Sequence, residues 1–275
     1  MPTITAPGCE LDWTLLDLSP PWAPATETIV FHHGLGANQN IWAEWLPLLA
    51  GTCRILCFDM RGHGRSRAEP GAALSMDALT DDLFAVMDAA GVHAAHLVGE
   101  SIGGTIVLNA CLRQPSRVAT LTVCNGAHQG GSIQAVHDWK RIIDNAGMEG
   151  WSRHMMQCRF FEGGIPAALR DWYQREQART DPDVLLRGVA ALVGADLAGR
   201  LAEVGAPVLL IHPDASPFIP VEVMVAFQRG LPDGRLNVIG HARHGMPVSH
   251  AKTCAALLRD FLADTGRHGV APNLV

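Results

Sequence analysis

The chain has 275 residues, of which 48% are hydrophobic, 17% charged and 6% aromatic. This composition is that of a globular protein and excludes a disordered, collagen-like or low-complexity chain. The formal net charge of −6, from 27 acidic and 21 basic residues, provides no positive surface for nucleic acid or an anionic membrane. We therefore expect neither of them as a partner.

The seven cysteines are scattered along the chain, and no two have the C-x-x-C spacing of a zinc site or a disulfide oxidoreductase. A reducing compartment is the simpler interpretation. The first residues lack the basic and apolar regions of a signal peptide, and no apolar run approaches the roughly 18 residues of a membrane span. We expect a cytoplasmic protein, and the oligomeric state stays open, a homo-oligomer included.

Short runs of β-branched or apolar residues that end at turn residues predict six strands. In chain order they span residues 28–31, 54–58, 95–98, 118–124, 208–212 and 236–239. Helices are predicted from the N-cap Ser75 to residue 90, from just after Ser101 to near Pro115, and over residues 249–263. Alternating strands and helices are typical of the α/β class, with a mostly parallel sheet covered by helices on both faces.

The alternation stops in residues 126–206, where no strand pattern is convincing and Trp and Met residues concentrate. We predict a helical insertion here, between core segments 1–125 and 207–275. Trp139, Trp151 and Trp172 are the predicted substrate-binding residues, as apolar walls of a lid. Packing within a small helical layer is the alternative role of the same side chains, and both roles can hold. Residues 266–275 are predicted to be a frayed polar tail.

A G-x-S-x-G motif around Ser101 follows a predicted strand directly and precedes a predicted helix directly. In this context the turn holds the serine in a strained conformation with its hydroxyl above the sheet edge. The helix N-terminus then lies beneath a developing oxyanion, and the amide of Ile102 points at it. We therefore predict that Ser101 is a nucleophile and that Ile102 contributes to an oxyanion hole.

A glycine-containing turn, His32-His33-Gly34-Leu35-Gly36, follows the first predicted strand. An oxyanion hole needs a second amide, and the backbone amide of Leu35 is the predicted donor. The two histidines are predicted to have a structural role at the base of the loop. The alternative of a dinucleotide fingerprint fails because residue 39 is Gln where that fingerprint requires Gly.

Residues 58–66 read Phe-Asp-Met-Arg-Gly-His-Gly-Arg-Ser, a D-x-R-G-x-G-x-S stretch. With this stretch, the glycine-containing turn and the G-x-S-x-G motif in this order, residues 25–265 resemble the α/β-hydrolase superfamily. The chain is most similar to the esterase and 3-oxoadipate enol-lactonase-like branch, which carries a helical cap after the sixth strand. The resemblance implies that residues 126–206 are this cap and that Asp59, Arg61 and His63 are structural.

In the family the catalytic histidine follows the last strand, and His244 occupies the matching position here. His241 and His250 are nearby alternatives. A neutral imidazole can take the serine proton near pH 7 and return it to the leaving group. His244 is therefore the predicted general base.

The acid of the triad is where this sequence departs from the family, which usually carries G-x-x-D-x-x-x-P after the seventh strand. Here residues 213–220 read Pro-Asp-Ala-Ser-Pro-Phe-Ile-Pro, so the acid position holds Ser216. Asp214, two residues earlier, is the predicted substitute and keeps the family order Ser101, Asp214, His244. Asn125, which would orient the histidine through its amide, and Ser216 in a weakened triad are the alternatives.

The predicted function is hydrolysis of a small carboxylic ester or lactone, a small-molecule substrate, through an acyl-enzyme on Ser101. No cofactor and no metal are implied, because the histidines show no tight metal spacing. A carbon–carbon bond hydrolase of the same fold and a catalytically weakened ligand-binding protein are the alternatives. Arg153 and Arg159 of the insertion are either clamps for a substrate carboxylate or, as is more common, solvated side chains.

Overall fold

The computed structural model describes residues 2–20, 22 and 26–266, and it contains a mixed sheet with a parallel centre. The strand order is β1-β2-β4-β3-β6-β7-β8-β9, and β5 pairs with β2. Pairing is parallel from β4 to β9 and antiparallel at β1–β2, β2–β4 and β2–β5. The strands are β1 Thr3–Ala6, β2 Cys9–Leu16, β3 Thr28–His32, β4 Arg54–Phe58, β5 Arg67–Ala68, β6 Ala95–Glu100, β7 Val118–Cys124, β8 Val208–Pro213 and β9 Gly234–Ile239.

The predicted α/β class and all six predicted strands are confirmed, with ends that differ by at most two residues. The antiparallel strands β1, β2 and β5 were not predicted from the sequence. These strands lie at one edge of the sheet, where one face or end is open to water, so their sequences mix apolar and polar residues. The central strands β3, β6 and β8 are buried along their whole length and gave the clear apolar runs.

Helices cover both faces of the sheet, as its alternating side chains require. Along β3, Val30 belongs to one apolar cluster, with side chains of α2, α3 and α7, whereas Ile29 and Phe31 belong to the other, with α1 and α9. The helices are α1 Leu46–Leu49, α2 Met76–Ala89, α3 Ile102–Arg113, α4 Trp139–Arg159, α5 Ala167–Ala178, α6 Pro182–Val193, α7 Val221–Gly230, α8 Met246–Ser249 and α9 Ala251–Asp264.

The predicted helices correspond to α2, α3 and α9, and Ser75 accepts a hydrogen bond from the Ala78 amide as the N-cap of α2. The last helix begins at Ala251 rather than near Ser249, because the short helix α8 precedes it. The predicted tail lies outside the described residues from residue 267 onward. No helix within residues 2–20, 22 and 26–266 is long and apolar enough to cross a membrane.

Three helices, α4 to α6, lie between β7 and β8 in the chain, within the predicted insertion. The helix α4 is interrupted at Gly147, whose φ of +64° is accessible to glycine at little cost. Helix α4 packs on α5 and α6. The division of the chain into core and cap stays a prediction.

Because β3, β6, β7, β8 and β9 are parallel, their carboxyl ends lie together at one end of the sheet. The loops that follow them carry Leu35, Ser101, Asn125, Ser216 and His244. In open α/β sheets, ligands bind at the carboxyl ends of the strands. The fold therefore gathers the chemistry-bearing residues of five distant segments into one place.

Candidate active site

Ser101 occupies a strained turn between β6 and α3. Its φ of 56° and ψ of −123° lie in a region that non-glycine residues rarely adopt. Strand and helix meet so closely that a Cβ on Gly99 would lie 2.2 Å from the Gly103 carbonyl oxygen. Ile102 is the first residue of α3, so its amide has no partner within the helix and can donate to a ligand.

The structure brings Ser101 and His244 together, with 3.1 Å between Oγ and Nε2. His244 is 4% exposed, and the ring of Phe218 packs edge-on against its imidazole at 4.7 Å. The two alternative histidines lie elsewhere: His241 is exposed and stacks on Phe161, and His250 contacts the hydroxyl of Ser249. His244 is thus the histidine placed to take the Ser101 proton.

The other imidazole nitrogen of His244 has no partner among the residues that the structure describes. Its Nδ1 is buried, and no described residue forms a hydrogen bond with it. When Nε2 accepts the serine proton, neutral His244 must carry its own proton on Nδ1. A buried N–H without an acceptor costs about 1–3 kcal/mol, so this environment disfavours the tautomer that catalysis requires.

Asp214 does not contact His244, and its assignment as the acid of the triad is corrected on this point. The Asp214 side chain is exposed, and its two carboxylate oxygens accept from the backbone amides of His241 and Ala242, at 2.9 and 3.0 Å. These bonds lower the pKa of Asp214. The carboxylate therefore holds the loop after β9 rather than the imidazole.

The alternatives Ser216 and Asn125 do not contact the imidazole either. The hydroxyl of Ser216 accepts from the amides of Phe218 and Ile219, as in a serine turn. Asn125 bridges Ser101 and His244 through the backbone: its Oδ1 accepts from the Ser101 amide at 3.1 Å, and its Nδ2 donates to the His244 carbonyl. Asn125 thus links the Ser101 turn to the histidine loop.

Substitutions of Asn125 and Asp214 are expected to affect kcat in the opposite order from a triad in which Asp214 is the acid. Asn125→Asp keeps the acceptor for the Ser101 amide but loses the donor to the His244 carbonyl, so kcat should fall by about tenfold. Asp214→Asn should leave kcat within about twofold, because neither carboxylate oxygen contacts His244. Steady-state kinetics on both variants tests this ranking, and the reverse ranking would return the acid role to Asp214.

In the loop after β3, a neutral histidine, His33, fixes the orientation of the Leu35 amide. His33 Nε2 accepts from the Met60 amide at 2.9 Å, which leaves the ring proton on Nδ1 to be donated to the Gly34 carbonyl at 2.8 Å. In a trans peptide the C=O and N–H point in opposite directions, so fixing the Gly34 carbonyl also fixes the Leu35 N–H. Burial lowers the pKa of His33 to about 3, which keeps it neutral.

The D-x-R-G-x-G-x-S stretch of residues 58–66 forms hydrogen bonds that stabilise the region around the loop after β3. Asp59 accepts from the amides of Gln39 and Arg65, at 2.7 and 2.8 Å. Arg61 forms a buried two-bond ion pair with Asp82, both bonds 2.6 Å long. These contacts are structural in kind, and none of them reaches Ser101.

Two charged residues lie near Ser101: Glu100, which was not singled out in the sequence, and Arg159, which was expected to be either a carboxylate clamp or a solvated side chain. Glu100, the residue before Ser101, is 1% exposed, and its Oε1 lies 3.8 Å from His244 Nε2 and 3.4 Å from Arg159 Nη1. Burial raises the pKa of Glu100, and the Arg159 guanidinium opposes that rise. Glu100 fills the variable position of G-x-S-x-G, which carries no signal of its own. Arg159 is buried, whereas Arg153 is 59% exposed at its side chain.

A mainly apolar pocket opens above Ser101 and His244. Of the three predicted tryptophans, only Trp139 lines it. Trp151 lies behind Trp139 and over Gly36, and Trp172 borders a separate polar cleft beside Asn38. The remaining wall consists of Leu35, Asn125, Ala127, Ile133, Val136, Met155, Arg159, Leu192, Phe218 and Ile219.

The pH dependence of activity should reflect the burial of His244. Burial, reinforced by the positive charge of Arg159 and by His212, lowers the pKa of His244 well below 6.5. Only neutral His244 can accept the serine proton, so the acid limb of kcat/KM should lie below pH 6.5. A kcat/KM profile measures this limb, and a midpoint at or above 6.5 would contradict the assignment.

The profile needs a stability control at low pH. Burial also lowers the pKa values of His32 and His212, to about 3 and about 4. Such groups take up protons on unfolding below their ordinary pKa of 6.5, so the fold loses stability as the pH falls from there. Circular dichroism at each pH separates a catalytic limb from acid unfolding.

Known proteins resemble this chain in sequence and in fold. Residues 27–188 match the family model described as alpha/beta hydrolase fold. The 2-hydroxymuconate semialdehyde hydrolase of Pseudomonas sp. (strain CF600) is 28% identical over 246 residues, which are 84% of this chain and 85% of that protein. RutD of Agrobacterium fabrum (strain C58), whose name assigns it provisionally as a carbamate hydrolase, is 26% identical over 249 residues, 86% of this chain and 92% of RutD.

Among solved structures, the enol-lactonase from Burkholderia xenovorans LB400 superposes with a TM-score of 0.86. The two sequences are 21% identical, and the match covers 95% of this chain and all of that chain. At this level of identity the likeness establishes the fold alone.

Proposed function

The chain belongs to the α/β-hydrolase fold family, and from this we propose that it hydrolyses a small carboxylic ester or lactone through an acyl-enzyme on Ser101. One observation supports the proposal above all others: Ser101 Oγ lies 3.1 Å from the buried His244 Nε2, in a strained turn at the start of α3. A serine with a base in reach, beside free amides, is the arrangement of nucleophilic acyl transfer.

In the proposed reaction Ser101 Oγ attacks the substrate carbonyl carbon while its proton passes to His244 Nε2. The carbonyl oxygen becomes an oxyanion, which the Leu35 and Ile102 amides stabilise. The bond to the leaving oxygen breaks, and that oxygen takes the proton from His244. Water then attacks the acyl-enzyme with His244 as base, which releases the acid and restores Ser101.

The pocket favours a small, largely uncharged acyl group. Apart from the catalytic pair, Asn125 and Arg159, its walls are apolar side chains. Carbamate hydrolysis would use the same serine, base and oxyanion hole, and it differs only in the nitrogen attached to the carbonyl.

Carbon–carbon bond hydrolysis is the second candidate, and the likeness to 2-hydroxymuconate semialdehyde hydrolase favours it. A third alternative, a ligand-binding protein with a weakened triad, is favoured by the unpartnered Nδ1 of His244. Both differ from the proposal in what a purified enzyme would do with simple esters.

The experiment is a substrate panel of p-nitrophenyl esters, lactones, aryl carbamates and a vinylogous diketone, with Ser101→Ala as the blank. We expect turnover of an ester or lactone and, where deacylation is slow, a burst of leaving group equal to the Ser101 concentration. Rapid cleavage of the diketone alone, with solvent deuterium in the released fragment, would replace the proposal by carbon–carbon hydrolysis. Tight binding without any turnover would replace it by the binding protein.

A further inference from the structure

Arg159, the last residue of α4, has its charge buried inside the protein. The residue is 1% exposed and its side chain 2% exposed, although it comes from a segment outside the sheet. A buried guanidinium is costly unless its N–H groups are hydrogen-bonded. Its partners therefore indicate why it is there.

The guanidinium contacts three different segments. Its Nε donates to Gln177 Oε1 of α5 at 2.9 Å, which fixes the plane of the group. Its Nη2 donates to the carbonyl of Leu35 at 2.8 Å, and its Nη1 lies 3.4 Å from Glu100 Oε1. Leu35 carries one oxyanion-hole amide, and Glu100 directly precedes Ser101.

The backbone of the same residue contacts the third catalytic segment. The carbonyl of Arg159 accepts from the amide of Gly245, the residue after His244, at 2.9 Å. The approach is close enough that a Cβ on Gly245 would lie 2.9 Å from this carbonyl and 2.3 Å from the Phe160 ring. Arg159 thus contacts Leu35 itself and the immediate neighbours of the proposed nucleophile and base, Glu100 and Gly245.

From these contacts we infer that Arg159 is a positioning residue, which holds the Leu35 loop, the Ser101 turn and the His244 loop in mutual register. The inference rests on the proposed function of this site. It assigns to α4 a part in assembling the oxyanion hole in addition to lining the pocket. Misplacement of a catalytic group by about 1 Å can cost as much as 100-fold in rate, so this register matters for turnover.

A different role for Arg159 predicts different kinetics. Arg159 also lines the pocket, so it could instead hold a substrate carboxylate directly. A carboxylate clamp affects KM for anionic substrates alone, because the clamp binds substrate and transition state alike. A positioning residue affects kcat for neutral and anionic substrates equally.

The test compares Arg159→Met, which has no charge and no fork, with Arg159→Lys, which keeps only the charge. Arg153→Met is the matched control, because Arg153 lies exposed on the same helix. The substrates are p-nitrophenyl butyrate and mono-p-nitrophenyl glutarate, which differ in a terminal carboxylate. A trifluoromethyl ketone reports binding of the tetrahedral oxyanion, and thermal unfolding reports the fold.

For Arg159→Met we expect kcat to fall by about 30-fold on both substrates, with KM within about twofold. The Ki of the trifluoromethyl ketone should rise by a similar factor, and Arg159→Lys should be intermediate. Arg153→Met should equal the parent enzyme. A higher KM on the glutarate ester alone would replace the inference by a carboxylate subsite, and an unchanged kcat would reduce Arg159 to an anchor of α4.

The rate at which a fluorophosphonate labels Ser101 separates failure of this inference from failure of the proposed function. Labelling forms the Ser101 O–P bond and expels fluoride, and it needs the oxyanion hole but no particular substrate. An unlabelled parent enzyme would overturn the proposed function. A parent and an Arg159→Met variant labelled at equal rates would overturn the inference alone. Where Arg159→Met does not fold, the same comparison with Arg159→Lys decides.

Discussion

Replacing Ser101 by alanine is expected to lower kcat by about 10⁴–10⁶-fold, to the level supported by binding and the oxyanion hole alone. His244→Gln should have a loss of similar size, because without a base the serine hydroxyl is a weak nucleophile. The double variant should be no worse than either single one, since the two groups act as a unit through the 3.1 Å contact.

The measurement is kcat on the best substrate of the panel, together with stoichiometric fluorophosphonate labelling followed by peptide mass spectrometry. Ser132→Ala is the control, because the Ser132 hydroxyl donates to the Gln129 carbonyl and the residue does not line the pocket. The assignment of Ser101 fails if Ser101→Ala keeps a few per cent of the activity, or if another serine is labelled.

Ser216→Asp is expected to raise kcat by about 100-fold, because it would provide the acceptor that His244 Nδ1 lacks. The residues around 216 run beside the histidine loop: the Ala215 amide donates to the Ala242 carbonyl at 3.1 Å, and Phe218 packs on His244. A carboxylate here would favour the tautomer with the proton on Nδ1 and would stabilise the imidazolium that forms during acylation.

Two observations distinguish this effect from a general change in the loop. Ser216→Asn, of equal size but uncharged, should give a far smaller gain. In Ser216→Asp the acid limb of kcat/KM should also move to higher pH, because a nearby carboxylate raises the pKa of His244. If kcat stays constant or falls while the fold is intact, the lack of a carboxylate is not what limits this enzyme.

The parallel centre of the sheet and the Ser101 turn could be predicted from the sequence because local rules determine them. A strand buried on both faces needs a continuous apolar run, and residues 54–58 and 118–124 were located to the residue. The turn needs glycine at positions 99 and 103, where a side chain would clash with backbone. The resemblance to the α/β-hydrolase superfamily rested on these local features and is confirmed.

The choice of partner within the site depended on the tertiary structure. Asp214 and Ser216 are two residues apart in one loop, and the sequence does not say whether either side chain turns toward His244 or toward backbone amides. In the fold both bind backbone amides, because the turns that follow β8 and β9 need acceptors there. Which amides lie within 3 Å of an oxygen is a matter of long-range packing.

The predicted helical insertion likewise combines features that the sequence indicated with features that only the tertiary structure decided. Its concentration of Trp and Met indicated apolar packing, but Trp139 lines the pocket whereas Trp151 and Trp172 do not. Arg159 looks in the sequence like any other helical arginine. Its contacts with Leu35 and Glu100 span 124 and 59 residues of chain. Local spacing thus determined the parallel strands and the Ser101 turn, whereas the orientation of charged side chains was decided only when distant segments met, because hydrogen bonds act over about 3 Å in space.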